Sequence, residues 1–273
     1  RRNKEVEKMK KAVSMVMAAA LVAVSVFAFS GCGQKNTNTT GGADATATAP
    51  AKKPKIVMGT NASFPPYEYV DDSGKIVGID AEAAAAIADK MGYELEIKDM
   101  DFNALLTAVQ SKNIDFAMAG MTVSEERLQS VNFSDTYAKG VQSIIVKEDS
   151  DIKDADGLAG KKIGVQAGTT GWSYCTDDFG QENVKEYDNG SLAVAALVNG
   201  QIDCVVIDNE PAKNYVAANA GLKILDTAYA DEDYAIAVAK DNDELLNKIN
   251  AALKDLKESG ELQKIVDKYI KAN

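Results

Sequence analysis

Residues 114–134 read IDFAMAGMTVSEERLQSVNFS, and this stretch contains a strand, a polar turn and the start of a helix. The apolar run 114–119 predicts a buried strand. A glycine turn follows it, and Ser124 is a suitable N-cap for a helix with two glutamates in its first turn. Arg127 would be the third residue of that helix, where partial positive charge disfavours a cation. The sequence therefore indicates either an anion near Arg127 or compensation by the two glutamates.

The same alternation of apolar strands and amphipathic helices continues from Lys55 towards the C-terminus. It predicts an α/β fold with largely parallel sheets. Two alternating sets, 55–139 and 160–225, precede a strand and two helices that would return to the first set. The predicted strands are 55–59, 93–98, 114–119, 161–166, 202–207 and 234–239, and the predicted helices are 80–91, 102–111, 191–199 and 243–259.

The composition excludes several classes of function. The chain has 273 residues, of which 46% are hydrophobic, and this is enough for two lobes with cores of their own. It contains no histidine, which excludes histidine general bases, Ser-His-Asp triads and His-ligated zinc. Residues 1–31 carry a net charge of +4 and the whole chain carries −11, so residues 32–273 carry −15. A body this acidic argues against binding to nucleic acid, and we expect neither a cofactor nor a metal.

The N-terminus has the layout of a signal peptide over residues 1–31, with a basic start, an apolar run and small residues. Residues 1–8 are expected to precede the true start. The apolar run ends in Phe29-Ser30-Gly31-Cys32, which resembles the lipobox of bacterial lipoproteins and implies lipidation of Cys32. The alternative is an uncleaved membrane span at 12–29, which is near the lower limit of length for spanning.

Residues 32–53 are rich in Thr, Asn, Gly and Ala and lack the apolar content of a core. We predict a flexible linker that the lipid at Cys32 would anchor to the outer face of the cell membrane. Two further cysteines, Cys175 and Cys204, remain in the folded part. In an exported chain they indicate either one disulfide bond or two buried thiols, and the sequence leaves both open.

Polar residues follow several of the predicted strands, where ligands of open α/β sheets bind. Arg127 offers a planar fork suited to a carboxylate, and Thr122 offers a hydroxyl beside it. The glycine turn at 168–171 opens onto a predicted helix, whose first N–H groups would favour an anion. Asp208 follows an apolar strand and would attract an ammonium group. Together these groups describe a site for the head of a free amino acid.

Each of these residues also has a purely structural explanation. Arg127 would pair with neighbouring acids on the surface. Thr169 or Thr170 would cap one helix, and Asp208 or Asn209 would cap the helix that begins near Pro211. The aromatic residues nearby would belong to the core, as such residues usually do. Only the joint placement of the polar groups at strand ends favours a binding site.

Five motifs, in order and at family spacing, resemble the amino-acid-binding proteins of bacterial ABC importers, which are family-3 extracellular solute-binding proteins. The resemblance extends from Lys55 to the C-terminus. It implies a type II periplasmic-binding fold, in which two α/β lobes are joined by two hinge strands and hold the ligand in the cleft between them. The implied lobes are 54–139 with 234–273, and 140–233. The motifs are GTNASFPPYEY (59–69), GKIVGIDAE (74–82), AGMTVSEER with VNFSDTY (119–137), IGVQAGTT (163–170) and IDCVVIDNEPA (202–212).

The resemblance also implies the roles of single residues. Arg127 and Thr122, with the backbone around Gly120, would bind the ligand carboxylate, and Thr170 would add a donor from the second lobe. Asp208 would accept the ammonium group. Two aromatic rings would enclose the ligand side chain, with a third nearby. The implied ligand-binding residues are Asn61, Phe64, Tyr67, Phe102, Ala119, Gly120, Thr122, Arg127, Gln166, Thr170 and Asp208.

Two of these positions, Asn61 and Gln166, stand where family members vary to set specificity. Many members have aspartate where this chain has Asn61, and no basic residue other than Arg127 occupies a matched position. These features favour a neutral polar ligand such as glutamine, or cystine. A basic ligand stays open if Glu210 or Asp208 faces its side chain.

The resemblance therefore implies a substrate-binding component of an ABC importer for a polar L-amino acid. We expect a monomer that closes on its ligand by hinge rotation and then docks on a membrane permease. We do not expect an enzyme, since no acid–base pair or strained nucleophile is visible. The alternative is a lyase on the same fold, similar to cyclohexadienyl dehydratase, with Glu210 as its acid.

Overall fold

The computed structural model describes residues 52–226 and 228–270, which form two large β-sheets, a small third sheet and the helices that flank them. The predicted signal segment 1–31 and the predicted lipidation site Cys32 lie outside the described residues, as does nearly all of the linker 32–53. No helix in the described ranges has the length and apolarity needed to cross a bilayer.

The first sheet has five strands in the order β5-β1-β6-β14-β7. Strands β5, β1 and β6 are parallel, and β14 runs antiparallel to both of its neighbours. A small antiparallel sheet, β2-β3-β4, lies between β1 and the first helix in the chain. The bounds are β1 Lys55–Thr60, β2 Ser63–Phe64, β3 Glu68–Val70, β4 Ile76–Val77, β5 Glu94–Asp99, β6 Phe116–Ala117, β7 Val131–Phe133 and β14 Ala237–Ala239.

Five helices accompany this sheet, and with it they form the first lobe. Leucine and isoleucine recur at helical spacing along the long C-terminal helix, which buries Leu245, Ile249, Leu253 and Leu256. These side chains join residues of the sheet and the first helix in one apolar cluster. The helices are α1 Ile79–Lys90, α2 Leu105–Gln110, α3 Glu125–Ser130, α7 Asp243–Glu258 and α8 Glu261–Tyr269.

The second sheet has six strands and forms the second lobe with three helices. Its order is β10-β9-β11-β8-β12, with β13 also paired to β8. Strands β10, β9 and β11 are parallel, while β8 runs antiparallel to β11, β12 and β13. The bounds are β8 Ala138–Lys147, β9 Ile163–Gln166, α4 Thr170–Phe179, β10 Val184–Tyr187, α5 Gly190–Val198, β11 Cys204–Asp208, α6 Asn209–Ala218, β12 Leu222–Ile224 and β13 Ala230–Tyr234.

The chain passes between the sheets twice. It leaves the first sheet after Phe133 and enters the second at Ala138, and it returns between Tyr234 and Ala237. The two crossing segments run side by side, because Ala138 pairs with Tyr234 at the ends of β8 and β13. The prediction of one strand over 234–239 was wrong, since those residues divide between two sheets.

The predicted helices are present with small shifts of their ends. Gly92, Gly200 and Gly260 follow helices with φ of 83°, 70° and 73°, and the left-handed conformation explains why glycine ends each run. The prediction over 102–111 is confirmed in its second half only. Its first residues, Phe102–Ala104, form a 3-10 turn before α2.

Cys175 and Cys204 are both free and buried in the same apolar cluster of the second lobe. Of the two possibilities that the sequence leaves open, the structure therefore has the buried thiols and not the disulfide bond. Burial raises the pKa of Cys175 to about 12, so its unreactive thiol form prevails at neutral pH.

Candidate functional site

The strand ends of both lobes meet around one enclosed cleft. Ten of the eleven residues implied by the resemblance line it. They lie at or just after the ends of β1, β6, β9 and β11, on β2, at the starts of α3 and α4, and in the turn before α2. Parallel strands end at one edge of a sheet, which is why residues so distant in the chain converge. The ten are Asn61, Phe64, Phe102, Ala119, Gly120, Thr122, Arg127, Gln166, Thr170 and Asp208.

Arg127 is buried in this cleft and not on the surface. Its backbone N–H donates to the hydroxyl of Ser124 at 3.2 Å, which confirms Ser124 as the N-cap of α3. Its guanidinium donates to the carbonyl of Thr122 at 2.7 Å and, across the cleft, to that of Gly168 at 3.0 Å. Among the described residues no carboxylate lies within ion-pair distance of Arg127, so pairing with surface acids is excluded. Burial lowers its pKa from the usual value, although the negative charges of Glu232 and Glu126 oppose the shift.

Asp208 lies at the opposite side of the cleft, at the end of β11. One carboxylate oxygen accepts from the Val141 N–H at 2.9 Å and the Tyr234 hydroxyl at 2.6 Å. The other accepts from the Glu210 N–H at 3.1 Å and caps α6. Asp208 is therefore a helix cap, as one of the two explanations from the sequence has it, and it also lines the cleft. Burial raises the pKa of Asp208 to about 6, although these hydrogen bonds oppose the shift.

The backbone at Gly140 leaves room for this arrangement. A Cβ atom there would lie 2.5 Å from the Tyr234 hydroxyl and 2.7 Å from the Asp208 carboxylate. Gly140→Ala is therefore expected to lower the free energy of unfolding by about 1–3 kcal/mol. Chemical denaturation of both proteins measures the change. Gly157→Ala, where a Cβ would meet nothing closer than 3.4 Å, is the control. Equal stability of the Gly140 variant and the parent would contradict the packing described.

Two further carboxyl groups lie beneath the cleft. Asp80 accepts from the Gly120 N–H at 2.8 Å and the Tyr137 hydroxyl at 2.6 Å, and so fixes the backbone turn at Gly120, where φ is 52°. Glu68 lies beside Asp80, lines the cleft and is fully buried. Its side chain shares a hydrogen bond with the Asp80 carboxylate, which requires a proton on one of the two groups. Burial and the neighbouring Asp80 raise the pKa of Glu68 well above its usual value.

A hydrogen bond between two amide side chains joins the lobes within the cleft. The amide of Gln166 donates to the side-chain oxygen of Asn61 at 2.9 Å, while Asn61 itself donates to the Met100 carbonyl at 2.9 Å. Thr169, and not Thr170, caps α4 by accepting from the Trp172 N–H at 3.2 Å. The cap leaves Thr170 as the first helical residue, facing the cleft.

The aromatic residues divide between cleft and core. Phe64 and Phe102 line the cleft, and the Phe102 ring lies 5.4 Å from the Arg127 guanidinium carbon. Tyr67 does not line it, and its implied role as a ligand-binding residue is corrected here. Its ring stacks behind Phe64 at a centroid distance of 5.8 Å and belongs to the core of the first lobe.

Several cleft residues were missed by sequence reasoning. Glu232 and Tyr234 alternate on β13, so strand periodicity would have placed both on one face had the strand been predicted there. Glu68 lies within a quoted motif but gave no signal of its own. The missed residues are Glu68, Gln142, Thr169, Val206, Ile207, Glu232 and Tyr234.

Comparison with known families identifies the chain. The family model for bacterial extracellular solute-binding proteins, family 3, matches residues 56–272. The chain belongs to this family. A solute-binding protein of this family has an extracytoplasmic location, and the two-lobed α/β structure is consistent with the type II periplasmic-binding fold.

Named relatives of this solute-binding protein agree in fold and differ in ligand. The arginine-binding extracellular protein ArtP of Bacillus subtilis (strain 168) is 38% identical over 227 residues, covering 80% of this chain and 86% of that protein. The L-cystine-binding protein TcyJ of Escherichia coli (strain K12) is 30% identical over 221 residues, covering 80% and 83%. A solved structure of an ancestral arginine-binding protein bound to glutamine is 43% identical with a TM-score of 0.77, covering 81% of this chain and 99% of that one. The lyase alternative finds no support in these relatives.

Proposed function

We propose that this protein binds a free L-amino acid by its charged head groups and delivers it to an ABC importer. The carboxylate would bind Arg127 and Thr122, near the positive end of α4 at Thr170. The ammonium would bind Asp208. The convergence of one guanidinium and one carboxylate in a single enclosed cleft supports this assignment.

We propose that the preferred ligand is an L-amino acid with a cationic side chain, such as arginine. The observation that carries this choice is Glu68, a fully buried carboxyl group that lines the cleft and has another carboxyl group, Asp80, as its neighbour. A guanidinium or ammonium group would supply the positive charge that balances this pair of buried acids. Glu232 adds a second buried acid, with one oxygen bonded to Gln142 at 2.9 Å and the other without a partner in residues 52–226 and 228–270.

This choice departs from the preference for glutamine or cystine that the sequence indicates. That preference rests on Asn61 and on positions matched to the family. It does not take Glu68 or Glu232 into account. Glu210, the acid considered there, pairs with Lys213 at 2.6 Å and is not among the residues that line the cleft. Glutamine, which occupies an ancestral arginine-binding relative, is expected to bind this protein more weakly.

Binding would close the two lobes by rotation at the paired segments around Ala138 and Tyr234. A ligand shifts this equilibrium only through contacts that the closed arrangement adds. A change from 1:99 to 99:1 requires about 5.5 kcal/mol of differential binding. Two or three charge-assisted hydrogen bonds, at about 1.5–3 kcal/mol each, suffice. The closed protein would then dock on a permease, with the linker and a lipid at Cys32 keeping it near the membrane.

A thermal-shift screen tests the proposed function. The purified protein is heated with each common L-amino acid, with cystine and with prephenate, and ligands that bind the native state raise its melting temperature. Arginine is expected to give the largest shift. A shift with prephenate, accompanied by its conversion to product, would favour the lyase, and no shift with any amino acid would contradict the proposal.

The dependence of affinity on pH should differ between arginine and glutamine. An ammonium beside Asp208 favours the ionised carboxylate, so affinity for both ligands is expected to fall as the pH drops below about 6, the pKa of the free site. Glu68 starts from a raised pKa, and a cationic side chain would expel its proton. Arginine affinity should therefore keep rising with pH through the range in which Glu68 ionises, whereas glutamine affinity should not follow that ionisation. Calorimetry over pH 5–9 measures both, and parallel profiles would contradict the role of Glu68.

A further inference from the structure

The two lobes are also joined by hydrogen bonds outside the cleft. The hydroxyl of Tyr215, on α6 of the second lobe, donates to the carbonyl of Ser63, on β2 of the first lobe, at 2.6 Å. A longer contact of 3.5 Å joins Asn214 of the same helix to the Pro65 carbonyl. Neither Tyr215 nor Ser63 is among the residues that line the cleft.

Tyr215 is held by its own lobe. It is 8% exposed, and its ring packs in the cluster that contains Ile207, Ala212 and Leu222. The position of its hydroxyl is therefore set by the second lobe alone. If the lobes separated, the ring would keep its packing and the hydroxyl would exchange the Ser63 carbonyl for water.

The same helix connects this contact to the cleft. Asp208 caps α6, and Tyr215 lies seven residues further along, a rise of about 10 Å at 1.5 Å per residue. A helix of this length moves as a rigid element. A rotation that brings Asp208 towards the first lobe would also bring Tyr215 to Ser63.

We propose that Tyr215 is a positioning residue for ligand capture. Its hydrogen bond to Ser63 favours the closed arrangement and so raises the affinity for every ligand, although Tyr215 touches none. The proposal rests on the proposed function, because it requires that ligands be bound by closure. One neutral hydrogen bond corresponds to a three- to tenfold change in the ratio of closed to open protein.

The test compares Tyr215→Phe with the parent protein, using the full chain and calorimetry with L-arginine and L-glutamine. Affinity is expected to fall three- to tenfold and by the same factor for both ligands, since the lost bond does not contact either. Tyr229→Phe is the matched control. It loses a hydroxyl bond of the same length, 2.6 Å to Asp178, but within the second lobe, and it should leave both affinities unchanged.

Small-angle scattering of the free proteins supplies a readout that does not depend on any ligand. If the free parent is partly closed, Tyr215→Phe is expected to have the larger radius of gyration. Identical scattering together with unchanged affinities, in a variant whose circular dichroism shows it folded, would overturn the proposal. A loss confined to one ligand would overturn it too, because it would make Tyr215 a specificity residue. If the parent bound no amino acid, the proposed function would fail and scattering alone would decide the role of Tyr215.

Discussion

Arg127→Ala is expected to weaken the binding of every amino acid by about 30-fold to several thousand-fold. Removing one partner of a buried, hydrogen-bonded charge pair costs about 2–5 kcal/mol. The loss should be general, since all amino acids share the carboxylate that Arg127 would bind. Calorimetry with arginine, glutamine and histidine measures it.

Arg127→Lys separates charge from geometry. Lysine keeps the positive charge but lacks the planar fork, and it is expected to restore only part of the affinity. The circular dichroism of both variants shows whether they fold, which matters because the guanidinium also donates to Thr122 and Gly168. A folded Arg127→Ala protein with the parent's affinity for any amino acid would refute the assignment.

Glu68→Gln is expected to reduce arginine affinity by about 10- to 150-fold, which corresponds to one charge-assisted hydrogen bond of about 1.5–3 kcal/mol. Glutamine affinity should change little, since its side chain carries no charge to pair. The ratio of the two affinities, from calorimetry at pH 8, is the measurement. Glu210→Gln is the control, because Glu210 pairs with Lys213 and is not among the cleft residues.

The same substitution should make the free protein more stable at high pH. The pKa of Glu68 is raised in the folded state, so its ionisation opposes folding as the pH rises above the usual glutamate range. The melting temperature of Glu68→Gln is therefore expected to exceed that of the parent at pH 8 and to match it near pH 4. A lower melting temperature together with an unchanged ratio of affinities would contradict the role of Glu68 as the acceptor of a cationic side chain.

The features of the fold that could be predicted from the sequence are those that residues close together in the chain determine. Helix ends were predictable because Gly92, Gly200 and Gly260 adopt a conformation that other residues avoid. The N-cap at Ser124 followed from side-chain chemistry alone. The division of 234–239 between two sheets was not predictable in this way, because pairing with distant strands decides where each strand ends.

The residues of the cleft also divide into those that the sequence predicted and those that it did not. Arg127, in the helix that follows β6, and Asp208, at the end of β11, were predictable because sheet topology carries those strand ends to one place. Glu68 and Glu232 were not, since their burial depends on how β3 and β13 lie against other elements. The sequence therefore predicted Arg127 and Asp208 as cleft residues and did not predict the buried acids Glu68 and Glu232.

The central claim is that one cleft holds both charged head groups of an amino acid. Calorimetry with L-arginine and with agmatine, which is arginine without its carboxylate, tests it most directly. We predict that arginine binds and that agmatine binds at least 100-fold more weakly, because Arg127 then has no partner. Equal affinity for the two compounds would contradict the account.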